Sequence, residues 1–143
     1  MRVISDVDVV EQLNRVIALH SSALTAYMAD APPFVRSQRE ADAKTVQQIA
    51  SNQQAIAREI GEYVQDLGGI VEPPFFPAEF TGYHDLSFDY LAPLMMEELS
   101  QHVAAMEAIS ETLGGDPRAQ GMVDRAIGAA KAHLDMLSER QAA

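Results

Sequence analysis

The side chains able to do chemistry in this chain are few. It has four histidines, no cysteine and two adjacent glutamates in its second half, Glu97 and Glu98. Glu98 and His102 are four residues apart, so on a helix they share a face and can reach one ion. With His20 and His133 they make a set of three imidazoles and one carboxylate. Such a set suits a single divalent ion, Fe²⁺, Zn²⁺, Mn²⁺ or Cu²⁺. Gln53 and Tyr27 would stand behind these ligands as hydrogen-bond partners. The same residues also fit a metal-free, hydrogen-bonded polar layer, because Glu-x-x-x-His is common on helices. The lack of cysteine excludes a disulfide framework, a thiolate zinc site, an iron–sulfur cluster and a thiol nucleophile. There is no glycine-rich phosphate loop and no zincin motif. Ser21-Ser22 has no visible base and orienter.

The elements that must position these residues are helices. Ser5 with Asp8 resembles a capping box with Asp in place of Glu, and starts a helix over about 6–29 that stops before Pro32-Pro33. Ser37 with Glu40 opens a second, over about 38–67, ended by Gly68-Gly69. A third spans about 86–113, before Gly114-Gly115. Asp116 as N-cap and Pro117 as first residue open the last, over about 117–140. No segment alternates with the period of a strand. The connection over about 68–85 begins GGIVEPPFFPAEFTG, with three prolines and three phenylalanines. Fifteen extended residues reach roughly 45–50 Å. A 25-residue helix is about 38 Å long, so this loop can cross a bundle from end to end. The expected fold is all-α, an up-down-down-up four-helix bundle with one long crossover, in a single domain.

Helical wheels place the core stripes. The first helix buries Leu13, Ile17, His20, Leu24 and Tyr27. The second buries Val46, Ala50, Gln53, Ile56, Ala57, Ile60, Val64 and Leu67. The third centres on Leu91, Met95, Leu99, Met106 and Ile109, with Glu98 and His102 inside the arc and Glu97 pointing more outward. The fourth buries Val123, Ala126, Ile127, Ala130, Leu134 and Leu137, with His133 at the margin. Five polar residues therefore enter the core near the middle of their helices, at roughly one level. A buried polar group without a partner is costly, so this convergence implies a shared polar centre. His84, near the start of the third helix, reads as surface or cap. The methionines read as core filler.

This layout is similar to the ferritin-like superfamily, particularly bacterioferritins and rubrerythrins. Leu13-Asn14, five residues, His20, six residues, Tyr27 resembles the family pattern Leu-Asn-x5-Glu-x6-Tyr. The Gly68-Gly69 helix end and the long crossover match as well. The resemblance implies a di-iron site of one Glu from each of two helices and Glu-x-x-His from each of the others. The chain departs from that pattern. His20 stands in place of the first Glu, and Gln53 and Ile56 stand where the second helix supplies Glu-x-x-His. The third-helix carboxylate is Glu98 or Glu97. Ala130-x-x-His133 keeps the His and loses the Glu. Without bridging carboxylates, a conventional di-iron oxidase or ferroxidase is not expected; a single ion would serve metal binding, buffering or sensing, or slow redox chemistry.

The formal charge of −11 repels phosphate backbones and argues against nucleic-acid binding. No apolar run reaches the ~18 residues of a membrane span, and Met1-Arg2-Val3-Ile4-Ser5-Asp6 has no secretory signal, so a cytoplasmic location is expected. Related bundles pair through helix faces. Leu19, Met96 and Val103, off their core stripes, are the candidate contacts of a homodimer. Three functions follow: a single-ion protein, a metal-free scaffold for assembly or protein partners, and a helical adaptor docking through PPFFP. In the last case the loop phenylalanines face a partner. Otherwise they anchor the loop to the bundle.

Overall fold

The computed structural model describes residues 4–30, 40–84 and 86–142. The fold is all-α, with no strand among the described residues. The described residues form five α-helices, α1 (Asp6–Ser21), α2 (Leu24–Asp30), α3 (Glu40–Asp66), α4 (Phe88–Thr112) and α5 (Pro117–Ala142), with short turns between α1 and α2 and between α4 and α5, and one long connection between α3 and α4. That connection carries a 3-10 helix, Ala78–Tyr83. Helix α4 packs along α5, α1 and α2 pack along α3, and α3 also meets α5.

The helix ends follow local chemistry. Ser5 Oγ accepts from Asp8 N–H at 3.2 Å, and Ser87 Oγ from Tyr90 N–H at 3.4 Å. Asp116 Oδ1 accepts from Ala119 N–H at 3.1 Å, with Pro117 as first helical residue. Helix α3 ends in a Schellman motif. Gly68 has φ of 83°, its N–H donates to Gln65 C=O, and Gly69 N–H donates to Val64 C=O. The expected stop at Pro32-Pro33 and the Ser37 cap lie outside the described residues.

The expected first helix over 6–29 is corrected. It is two helices, broken at Ser22-Ala23. Neither proline nor glycine causes the break. A pair of serines sits there, whose hydroxyls compete for backbone groups. Ser21 Oγ donates to Ile17 C=O at 2.8 Å, and Ser22 Oγ accepts from Phe75 N–H at 2.9 Å. The Leu24 N–H donates to Glu98 Oε1 at 2.7 Å instead of to the preceding turn.

The core is divided in two. One cluster joins Val9, Leu13 and Ile17 of α1, Ile60 and Val64 near the end of α3, Val103 to Ile109 of α4, and Ala119 to Ala130 of α5. The other joins Leu24 and Met28 of α2, Val46 and Ile49 near the start of α3, Phe88 to Leu99 of α4, Phe80 of the connection, and Leu137 of α5. Each large side chain buried there contributes roughly 1.5–3 kcal/mol. On every long helix a polar residue separates the two clusters: His20 after α1's share, Gln53 on α3, His102 on α4 and His133 on α5.

The long connection is strapped to α1 and α2. The Asn14 side chain donates to Ile70 C=O at 2.9 Å and accepts from Glu72 N–H at 3.3 Å. Phe76 and Phe80 pack on Tyr27, with ring centroids at 5.2 and 5.6 Å, so both anchor the loop. Phe75 is 78% exposed. Val103 is buried, and Leu19 and Met96 are half-buried against the two clusters. Burial corrects the outward reading of Val103, whose side chain turns into the cluster beside it, while Leu19 and Met96 keep part of their surface exposed.

Candidate functional site

Between the two clusters lies a polar layer that hydrophobic packing does not account for; elsewhere in the described core the buried Asp42 is paired with Arg140 at 2.9 Å. Gln53 is fully buried at 0% exposure, His20 is at 2% and His133 at 3%. His102 and Glu98 are half-buried. Helix periodicity puts each of them on the inner stripe, while the break after Ser21 sets α2 at the layer's edge.

The hydrogen bonds are incomplete. Thr25 Oγ1 donates to Gln53 Oε1 at 2.8 Å, which leaves the Gln53 Nε2 donors without a partner. The Thr25 hydroxyl accepts as readily as it donates, so a turn of the amide would present Oε1 to the layer instead. His133 Nε2 lies 2.8 Å from Asn52 Oδ1. With the amide oxygen on that side, Nε2 is the donor and Nδ1 the free lone pair; the opposite turn of the Asn52 amide would put the proton on Nδ1. That Nδ1 has no hydrogen-bond partner, and neither has His20 Nε2. Three buried polar atoms in one layer are unmatched, where native interiors leave few such groups.

Burial also sets the charge state. Removal from water pushes His20 down to about 3, and the nearby His133 and His102 push in the same direction. Burial holds His102 and His133 near 4. All three imidazoles are thus neutral at neutral pH, and neutral imidazole is the form that binds a metal. Glu98 is raised by burial and by Glu79, against the pull of the Leu24 N–H.

The residues expected from sequence divide accordingly. His133 and His102 lie near enough to His20 for their charge to disfavour its protonation. Glu98, not the exposed Glu97, is the inward carboxylate, and its bond to Leu24 N–H gives it a part in the helix break. Among the described residues, no three His, Asp or Glu side chains form a group placed to hold a metal ion. Tyr27 does not stand behind the layer: its hydroxyl pairs with His84 Nε2 at 2.6 Å, inside the aromatic group that anchors the connection. His84 caps the 3-10 helix, as a cap reading allows, and is half-buried rather than on the surface.

No family model, curated protein or solved structure matches the chain. The functional reading therefore rests on the layer itself. Two of its members were not visible in sequence. Thr25 belongs to the layer only because the break redirects α2. Asn52 lies next to Gln53 but on the outer edge of the α3 stripe, where an exposed polar residue gives no signal. No helix of the described residues is long and apolar enough to cross a membrane.

Proposed function

We propose that this chain is a divergent ferritin-like, up-down-down-up four-helix bundle that takes at most one divalent ion in its polar layer. On this reading α1 and α2 count as one broken helix. The membership of the two clusters supports the topology. Helices α1–α2 and α5 run from the first cluster to the second, and α3 and α4 run back, so the strapped connection before α4 is the crossover. One observation carries the binding reading: His20 Nε2 and His133 Nδ1 are buried on neutral rings with no partner. His20 and His133 would be the protein ligands of an ion such as Zn²⁺, Fe²⁺ or Mn²⁺. Gln53 and water would complete it, with the half-buried His102 a further candidate ligand. The ion would supply the charge these nitrogens lack.

A second reading, a metal-free scaffold for a homodimer or another protein partner, is favoured by a different observation. Glu98, the one inward carboxylate beside the imidazoles, is bound to Leu24 N–H, and no three ligands are grouped. Elemental analysis separates the two. The chain is purified without a histidine tag and reconstituted anaerobically with Fe²⁺, Mn²⁺ or Zn²⁺. About one ion per chain, lost in both His20→Ala and His133→Ala, is the expected result. No ion under any condition would replace the first reading by the second.

A further inference from the structure

The hydrogen-bonded end of the His133 ring points to a role for a residue outside the ligand set. The geometry points to Asn52 as the positioning residue that makes His133 Nδ1, and not Nε2, the atom offered to a borderline, nitrogen-preferring cation such as Zn²⁺. This rests on the single-ion reading above. A neutral imidazole has one proton and two nitrogens, and whichever nitrogen donates a hydrogen bond leaves the other as the ligand. Asn52 Oδ1 stands 2.8 Å from Nε2 and holds the proton there. His133 is 3% exposed while Asn52 is exposed, so the bond is made at the rim and the bare Nδ1 is left in the interior. The bond joins α3 to α5, so the ring is also held in orientation by a helix it does not belong to. A partner on the far nitrogen fixes tautomer and ring angle and raises ligand basicity, and loss of such a partner typically costs 10–100-fold in metal affinity. Nitrogen donors without a free carboxylate favour Zn²⁺ over Mg²⁺.

The test uses the full ¹⁵N-labelled chain, freed of metal, at about neutral pH. Long-range ¹H–¹⁵N correlation reads the histidine tautomers, with His133 identified by its loss in His133→Gln. The expected spectrum shows the Nε2–H form in the wild-type chain and a mixture of forms in Asn52→Ala. Zn²⁺ should shift the Nδ1 resonance, and Asn52→Ala should weaken Zn²⁺ binding about 10–100-fold by calorimetry. Asn52→Asp keeps an acceptor and should restore binding. Because Asn52 is exposed, both variants are expected to keep the wild-type far-UV spectrum. Zn²⁺ bound equally well by the wild-type chain and Asn52→Ala, or a Zn²⁺ shift at Nε2, would overturn the role of Asn52 and leave the single-ion reading standing. No Zn²⁺ bound by the wild-type chain would overturn both.

Discussion

Replacing His20 by leucine should flatten the acid side of the stability profile. Folding holds the His20 pKa near 3, below the ordinary 6.5. The native state therefore binds fewer protons than the unfolded chain at any pH between those values. The stabilisation from its neutral ring is complete above about 6.5 and is lost as the pH falls toward 3. Between about pH 7.5 and 4.5 the loss from this one residue is about 2–3 kcal/mol, at 1.36 kcal/mol per pKa unit. Against a typical total of roughly 5–15 kcal/mol that is a large share. His102 and His133 act in the same direction, and the raised Glu98 acts in the opposite one. All three remain in a His20→Leu chain, so comparing the two proteins isolates His20. The assay is urea unfolding at both pH values, with EDTA present, followed at 222 nm. With a slope of about 1–3 kcal/mol per molar, the wild-type midpoint should fall by about 1 M more than that of His20→Leu. At pH 7.5 the variant should be no less stable, since it also removes an unpartnered buried nitrogen. Equal falls in the two proteins would refute the assignment of His20 as a buried neutral histidine.

Other perturbations probe the parts that hold the layer in place. Glu98→Ala should cost about 1.5–3 kcal/mol, because it removes a charged acceptor from Leu24 N–H at the helix break. Glu98→Gln, which keeps an oxygen there, should cost less, and thermal melts will rank the two. Gly69→Ala should cost about 1–3 kcal/mol by overpacking, since its Cβ would meet Val10 Cγ1 at 2.6 Å and the β-branched Val10 has little freedom to turn. Gly68→Ala meets no neighbour and should cost only about 1–2 kcal/mol for the left-handed backbone, which calorimetry can separate. Tyr27→Phe should cost about 0.5–1.5 kcal/mol through the lost bond to His84. If it costs nothing, the strap is held by ring packing alone.

Local chemistry determined most of the helices. Ser5, Asp116, Pro117 and the Gly68-Gly69 pair each act through backbone groups a few residues away, so the ends they mark are readable without tertiary contacts. Periodicity in the same way determined that His20, Gln53, Glu98, His102 and His133 face inward, because a stripe repeats every 3.6 residues whatever it packs against. Tertiary structure alone decided what those inward groups do. Glu98 lies 74 residues from Leu24 and was free to be a ligand until the α1–α2 break offered it a bare N–H. At that break the Ser22 hydroxyl meets the Phe75 N–H, brought there from a distant loop. Tyr27 and His84 share a face with nothing in sequence and meet only because the crossover folds back. The partner of the His133 ring is Asn52, 81 residues away, on the exposed edge of another helix. Helix ends and core faces arise from neighbours along the chain. Hydrogen-bond partners inside the layer arise from neighbours across it, and no local pattern encodes those.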